Sequence, residues 1–323
     1  MSTISRLKSF CIAVGAVALS ALSGTARAEF PERPITLVVP YGAGSAIDSV
    51  ARSLAMGAQR HLGQTIVVDN RTGAGGAIGT QYVGNRPADG YTLAMVGTIP
   101  MPLSYFSKTL TLHPANDFTH IITTTGYLMA VAVRSDSKIR DIKELVEAAR
   151  QNPDKMTYST SGIASTGFLN MAEFAALSGI KVVHVPYKSG AEAVTGLLFG
   201  QVDFYSDAAW APFHKDGRLR PLLIFANQRS SRFPDIPVPT DLVNAKVQPG
   251  GLMLVGPKGL PPAVLQKLHD AFKTAMGEPE YKATVERFNL ESTYLGPEAT
   301  RNATAASLEP LRKMFDTLGL GKQ

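Results

Sequence analysis

Short apolar runs alternate with amphipathic stretches along this chain, and glycine or a small polar residue stands at most of the changes between them. Residues 35–39 (ITLVV) read as a buried strand. From 47 to 62, Val50, Leu54 and Ala58 recur at helical spacing, and Gly63 stops the helix. Residues 66–68 (IVV) are the next strand and 91–96 a third. This strand–loop–helix–strand order is the unit that builds parallel sheets. The same pattern restarts after Gly126: strand 128–133, amphipathic helix 139–151 ending at Asn152-Pro153, strand 156–159, and a helix from 166 to 177 ended by Gly179. Further strands are expected at 182–185, 202–205 and 219–225, with a helix at 191–199 between the first two. After a Pro-rich connection (Pro234, Pro237, Pro239) come a strand at 252–255 and helices at 262–276, 280–288 and 297–318.

The periodicity therefore predicts an α/β protein of two units, the second inserted within the first. Proteins of this plan put a ligand in the cleft between units, at the carboxyl ends of strands. Two loops of small residues sit where such a cleft needs them. Tyr41-Gly42-Ala43-Gly44-Ser45-Ala46 links the first strand to its helix, with Asp48 in the first helical turn, and Ser161-Gly162-Ile163-Ala164-Ser165-Thr166-Gly167 does the same in the second unit. The first N–H groups of a helix lack internal partners and carry partial positive charge, so an anion can settle there without a lysine or arginine. Ser45, Ser161, Ser165 and Thr166 add hydroxyl donors. Two such loops facing each other suit a molecule with carboxylates; either alone reads equally well as a tight turn. Asp48 reads as a brace or cap for its loop more than as a ligand contact.

Other chemistries fit less well. Gly42-x-Gly44 lacks the third glycine of a dinucleotide fingerprint, because Ile47 holds that position, although Asp69 stands where a ribose-binding acid would. A secreted serine hydrolase using Ser45 and His184 is an alternative of another class, yet Ala43 and Ile47 occupy both glycine positions of the nucleophile elbow. The sequence offers no metal-binding spacing, and no cofactor is expected.

The N-terminus changes the picture of where the protein works. Arg6 and Lys8 precede an apolar run at 10–22, and Ala26-Arg27-Ala28 supplies a small-x-small cleavage pattern, as in a secretory signal peptide removed near Ala28. The run is shorter than the ~20 residues of a membrane span. Cys11, the only cysteine, lies inside this leader, so the mature chain has no thiol for a disulfide, nucleophile or metal. Losing Arg6, Lys8 and Arg27 reduces 32 basic residues to 29 against 26 acidic ones, which lowers the net charge from +6 to +3. A mildly positive, well-mixed surface suits small anions, and no basic block points to nucleic acid.

Five stretches in order, Pro40 to Asp48, Asn70 to Gly76 (NRTGAGG), Ala88 to Leu93 (ADGYTL), His184 to Lys188 (HVPYK) and Gly200 to Asp203 (GQVD), resemble the Bug family, the extracytoplasmic solute receptors of tripartite tricarboxylate transporters. The likeness runs from Phe30 to the C-terminus. It implies a periplasmic, non-enzymatic, two-lobed binding protein of type II (Venus flytrap) fold, expected as a soluble monomer that binds a small carboxylate and meets membrane transporter subunits. The expected division is 29–126 plus 228–323 for lobe 1 and 127–227 for lobe 2. The resemblance further implies one carboxylate on the loop 41–48, with the loop 161–166 and residues near Asp207 contributed by the opposite lobe. Known ligands of the family are citrate and other di- and tricarboxylates, acidic amino acids and aromatic acids.

Three departures bear on the ligand. Gly44-Ser45 replaces a usual Gly-Gly; Ile163, Ala164 and Phe168 replace more polar residues of the second loop; and Ala208-Ala209-Trp210 follows Asp207 in a shortened segment. With Phe168, Trp210 and Tyr187 placed at the pocket, the expectation leans to an aromatic mono- or dicarboxylate such as terephthalate, with aliphatic di- and tricarboxylates or acidic amino acids as the alternative. Asp207, unfavourable beside an anion, is expected to bind an amino group, orient a water, or pair with Lys188 or Arg52.

Overall fold

The computed structural model describes residues 30–163, 165–230, 232–243, 247 and 250–320; the leader expected at 1–28 and Ala164 lie outside the described residues. Two β-sheets organise residues 33–320. The first contains β1 (Ile35–Val39), β2 (Ile66–Asn70), β3 (Thr92–Gly97), β4 (Phe118–Tyr127), β10 (Gly251–Pro257) and β11 (Leu290–Leu295), in the order β11-β4-β10-β3-β1-β2. The second contains β5 (Ala130–Arg134), β6 (Thr157–Thr160), β7 (Val183–Pro186), β8 (Phe204–Asp207) and β9 (Leu219–Ile224), in the order β7-β6-β8-β5-β9. The chain crosses from one sheet to the other at 128–129 and returns along 225–250.

Each sheet has a parallel centre. β1 pairs in parallel with β2 and β3, and β6 with β7 and β8. Parallel neighbours need crossover helices, and these follow the strands: α1 (Ala46–Leu62), α2 (Ala77–Gly84) and α3 (Pro100–Phe106) in the first unit; α4 (Ile142–Gln151), α5 (Thr166–Ser178), α6 (Gly190–Leu198) and the short α7 (Ala211–Lys215) in the second. α8 (Pro262–Ala275), α9 (Pro279–Arg287) and α10 (Pro297–Thr317) complete the first unit. Side-chain alternation in β5 builds two cores at once. Val131 and Val133 pack with α4 and α5, whereas Ala130 and Ala132 pack with Ala193, Val194 and Leu197 of α6 on the other face.

Local chemistry fixes the helix starts that matter. Ser45 is extended and its hydroxyl accepts the Asp48 N–H, so α1 starts at Ala46; Ser165 caps α5 in the same way through the Phe168 N–H. α4 begins three residues later than its periodicity suggests, because Asp141 is extended and caps it through the Glu144 N–H at 2.9 Å. The first unit also holds a strand the hydropathy pattern did not announce. β4 runs antiparallel to β10 and β11, and its Thr-rich sequence is buried on both faces from His120 to Thr125. It carries Tyr127 with the first sheet rather than with the second unit, where the sequence division placed it.

Candidate functional site

The carboxyl ends of β1, β2 and β3 feed the loops before α1, α2 and α3, and the carboxyl ends of β6, β7 and β8 feed those of the second unit. The loop 41–45 is held from below by one carboxylate. Asp48, only 2 % exposed, accepts the Gly44 N–H at 2.8 Å. It also accepts the Arg52 Nε at 3.1 and 3.0 Å and the Asn70 Nδ2 at 2.9 Å. Asn70 Nδ2 further donates to the Tyr41 carbonyl at 3.0 Å, and Arg52 Nη2 donates to Asn70 Oδ1 at 2.9 Å. Burial works against the Asp48 charge, but Arg52, the Gly44 N–H and Asn70 outweigh it, so its carboxyl is held below the usual range. Asp48 is thus the brace the sequence suggested. Gly42, Ala43 and Gly44 are exposed above it, Gly44 at φ +80°, where a side chain would strain the backbone. Tyr41 lies beneath, its phenol against Gly76 and beside the Gly97 N–H; burial pushes the hydroxyl above its ordinary pKa.

The second loop is braced from the neighbouring strand. Asp207 at the end of β8 accepts the Ser161 N–H at 2.7 Å through Oδ2 and the Ala208 N–H at 2.7 Å through Oδ1. Burial raises its pKa above the carboxylate range, and these N–H donors oppose the rise. The pairing with Arg52 weighed from sequence does not form, since that guanidinium is taken by Asp48 and Asn70. Gly167 lets α5 start against β8: a Cβ there would fall 2.1 Å from the Ser206 carbonyl oxygen. Gly162 and Ser161 are partly open, Ile163 is 53 % exposed, and Thr166 is buried against Gly250.

Three aromatic residues separate once their surroundings are known. Trp210 is fully buried, packed with Ala193, Tyr205, Phe233 and Ile224, and its Nε1–H donates to the Leu128 carbonyl at 2.8 Å. The pocket role expected for it gives way to a core role, because both the ring and its one donor are already satisfied. Tyr187 borders the second loop with its backbone, its N–H meeting the Thr160 carbonyl at 3.0 Å, but its phenol packs on Gly196 and donates to Gln201 at 2.9 Å. Phe168 is half-buried, its ring 4.6 Å from that of His184, and it packs against the Ile99, Leu103, Leu169 and Leu311 cluster. His184 itself is pushed down to about 4 by burial, and its Nε2 meets Thr160 Oγ1 at 2.8 Å. Ser45 caps a helix of the other unit, so no Ser45–His184 pair exists for hydrolysis.

Sequence reading missed Tyr127. Burial drives its hydroxyl above the ordinary tyrosine pKa, and both Tyr41 and Asp207 lie close enough to push it further. It stands at the end of β4, just before the chain crosses to the second sheet; an aromatic residue beside Gly126 at the unit boundary was the available signal. Tyr127 also lines a cavity of about 360 Å³, together with Thr98, Phe225, Asn227, Gly250 and Thr304. Two open grooves of about 510 and 450 Å³ lie against α9 and α4 and contain neither loop. Among the described residues no cluster of His, Cys, Asp and Glu could hold a metal ion.

Two α/β units joined by two crossings, each presenting a capped helix start at the carboxyl ends of its parallel strands, define a two-lobed solute-binding protein. Residues 50–320 match the family model described as the tripartite tricarboxylate transporter family receptor (TctC). A Cupriavidus necator relative, the UPF0065 protein in the gbd 5′ region, is 38 % identical over 312 residues, covering 96 % of this chain and 95 % of its own. The solved periplasmic binding protein BugD is 28 % identical with a TM-score of 0.76, over 90 % of this chain and 99 % of that one. An R. palustris protein solved with adipate is 26 % identical with a TM-score of 0.76, over 90 % and 99 % of the two chains. The chain belongs to the TctC, or Bug, family of periplasmic solute-binding receptors, which are binding proteins and not enzymes.

Proposed function

We propose that this receptor captures a small aliphatic dicarboxylate between the loops 41–46 and 161–166, acting as a soluble monomer after leader removal near Ala28, and delivers it to a membrane transporter. In this reading the first sheet and its helices, with Tyr127, form one lobe, and the second sheet with its helices forms the other. One observation carries the reading: each lobe offers a serine-capped helix start with no lysine or arginine in its loop, and in each loop one backbone N–H donates to a buried aspartate, Gly44 to Asp48 and Ser161 to Asp207. An anion at each helix start leaves an uncharged span between them, and Ile163 of the second loop is an exposed apolar side chain. Adipate has that form, and it occupies the R. palustris relative. With Trp210 in the core, the strongest sequence argument for an aromatic acid is withdrawn. The Phe168–His184 ring pair beside the second loop still favours terephthalate as a second reading.

Isothermal titration of the mature protein with adipate, malate, citrate, glutamate and terephthalate tests both. Saturable 1:1 binding of adipate or malate, tighter than of terephthalate, is expected. Binding of terephthalate alone would replace this reading with the aromatic one.

A further inference from the structure

Three hydrogen bonds of Arg52 meet at the residues that shape the first loop. Its Nε reaches both oxygens of Asp48 at 3.1 and 3.0 Å, and its Nη2 reaches Asn70 Oδ1 at 2.9 Å. The bond to Asn70 fixes which way that amide points. Its Nδ2 is then directed to the Tyr41 carbonyl, at 3.0 Å, and to Asp48, at 2.9 Å. Asp48 in turn holds the Gly44 N–H at 2.8 Å. The loop is therefore pinned at both ends, Tyr41 and Gly44, by a network that closes on one guanidinium.

The same network settles an electrostatic conflict. Asp48 lies in the first turn of α1, so its negative charge competes with a bound anion for the positive end of the helix. A buried, unpaired carboxylate at that position would repel the ligand. The guanidinium offsets that charge where it arises, its single Nε–H shared between the two Asp48 oxygens.

We propose that Arg52 is a positioning residue for ligand binding: through Asp48 and Asn70 it sets the shape of the loop 41–45, and it neutralises Asp48 so that the α1 start remains open to a carboxylate. This rests on the proposed function of that loop. It differs from an ordinary helix i,i+4 ion pair, which adds a little stability and nothing to affinity. Lysine at 52 would keep the charge but not the forked set of bonds.

The test uses mature full-length protein and adipate, with Arg52→Met, Arg52→Lys and the double variant Asp48→Asn/Arg52→Met. It reads the adipate Kd by calorimetry and the exchange of the Gly44 amide by NMR in ligand-free protein. Arg52→Met is expected to speed Gly44 exchange and to weaken adipate about tenfold or more, the scale of one lost hydrogen bond to a charged group. Arg52→Lys should fall between Arg52→Met and wild type. The double variant, which removes the stranded charge but keeps an acceptor for the Gly44 N–H, should bind more tightly than Arg52→Met. A lowered Tm with unchanged Kd and unchanged Gly44 exchange overturns the proposal, as does a double variant no better than Arg52→Met. Should wild-type protein bind no carboxylate, the functional reading fails separately, and Gly44 exchange alone decides the role of Arg52: faster exchange in Arg52→Met upholds the clamp, and unchanged exchange overturns it.

Discussion

Two histidines show how burial sets acid sensitivity residue by residue. His120 on β4 is 4 % exposed, and neither ring nitrogen has a hydrogen-bond partner among the described residues; burial pushes it down to about 4, and the nearby Arg301 pushes the same way. Its ordinary value is 6.5, so between these two values the unfolded chain binds a proton that the folded protein refuses. The stability tied to its neutral form is fully present above about pH 6.5 and is lost as pH falls toward 4. From pH 7 to 5 this amounts to about 2 kcal/mol. His120→Leu should flatten the decline of urea-unfolding stability over that interval by about that amount; an unaltered pH slope would contradict the assignment. Asp48 has the opposite origin and adds to the same trend: its lowered carboxyl pKa gives stability above the unfolded value that fades as pH drops through the folded one. The residue scale is also where sequence reading reached least far. Asp48 as a brace was legible, because an acid in the first turn after a glycine loop has few other uses. Its partner Asn70 lies 22 positions away in sequence, and only the parallel register of β1 with β2, which sets Val39 opposite Asn70, brings it under the loop. For Trp210 no spacing in the sequence distinguished core from pocket; the decision lay with the carbonyl of Leu128, 82 positions distant.

At the scale of elements, α5 has two roles. Its first residues close the second loop, and Leu169, one residue after Phe168, packs with Ile99 and Leu103 of the α3 region and with Leu311, Met314 and Phe315 of α10. This apolar contact joins helices of the two units, so removing part of it should affect closure as well as folding. Leu169→Ala is expected to cost about 2–5 kcal/mol of stability and to weaken adipate binding. Leu145→Ala, buried in the second unit's own core, should cost a similar amount with affinity near wild type. Equal affinities in the two variants, measured by calorimetry beside urea melts, would remove the helix contact from the closure. Elements with clear punctuation were read closely from sequence. α1 and α5 each lie between a serine cap and a left-handed glycine, Gly63 and Gly179. β4 escaped because packing on both faces erased its alternation, and α3 because a seven-residue helix starting at a proline gives too short a period to detect.

At the scale of the whole molecule, the proposed site draws one loop from each of the two sheets. Parallel strands put their carboxyl ends on one edge, the two crossings join the sheets, and Tyr127 ends β4 just before the first crossing. The alternation of strand and helix made the two-unit plan legible, whereas the antiparallel insertion of β4 and β10 into the first sheet depends on long-range pairing that no local pattern reports. Among the described residues no helix is long and apolar enough to cross a membrane. The most direct test of the central claim is a crystal structure of the mature protein grown with adipate. One carboxylate should lie within hydrogen-bond distance of the exposed N–H groups of residues 42–47 or of the Ser45 hydroxyl, and the other beside the loop 161–166. Adipate seated instead in the cavity lined by Tyr127 and Thr98, with both loops vacant, would contradict the account.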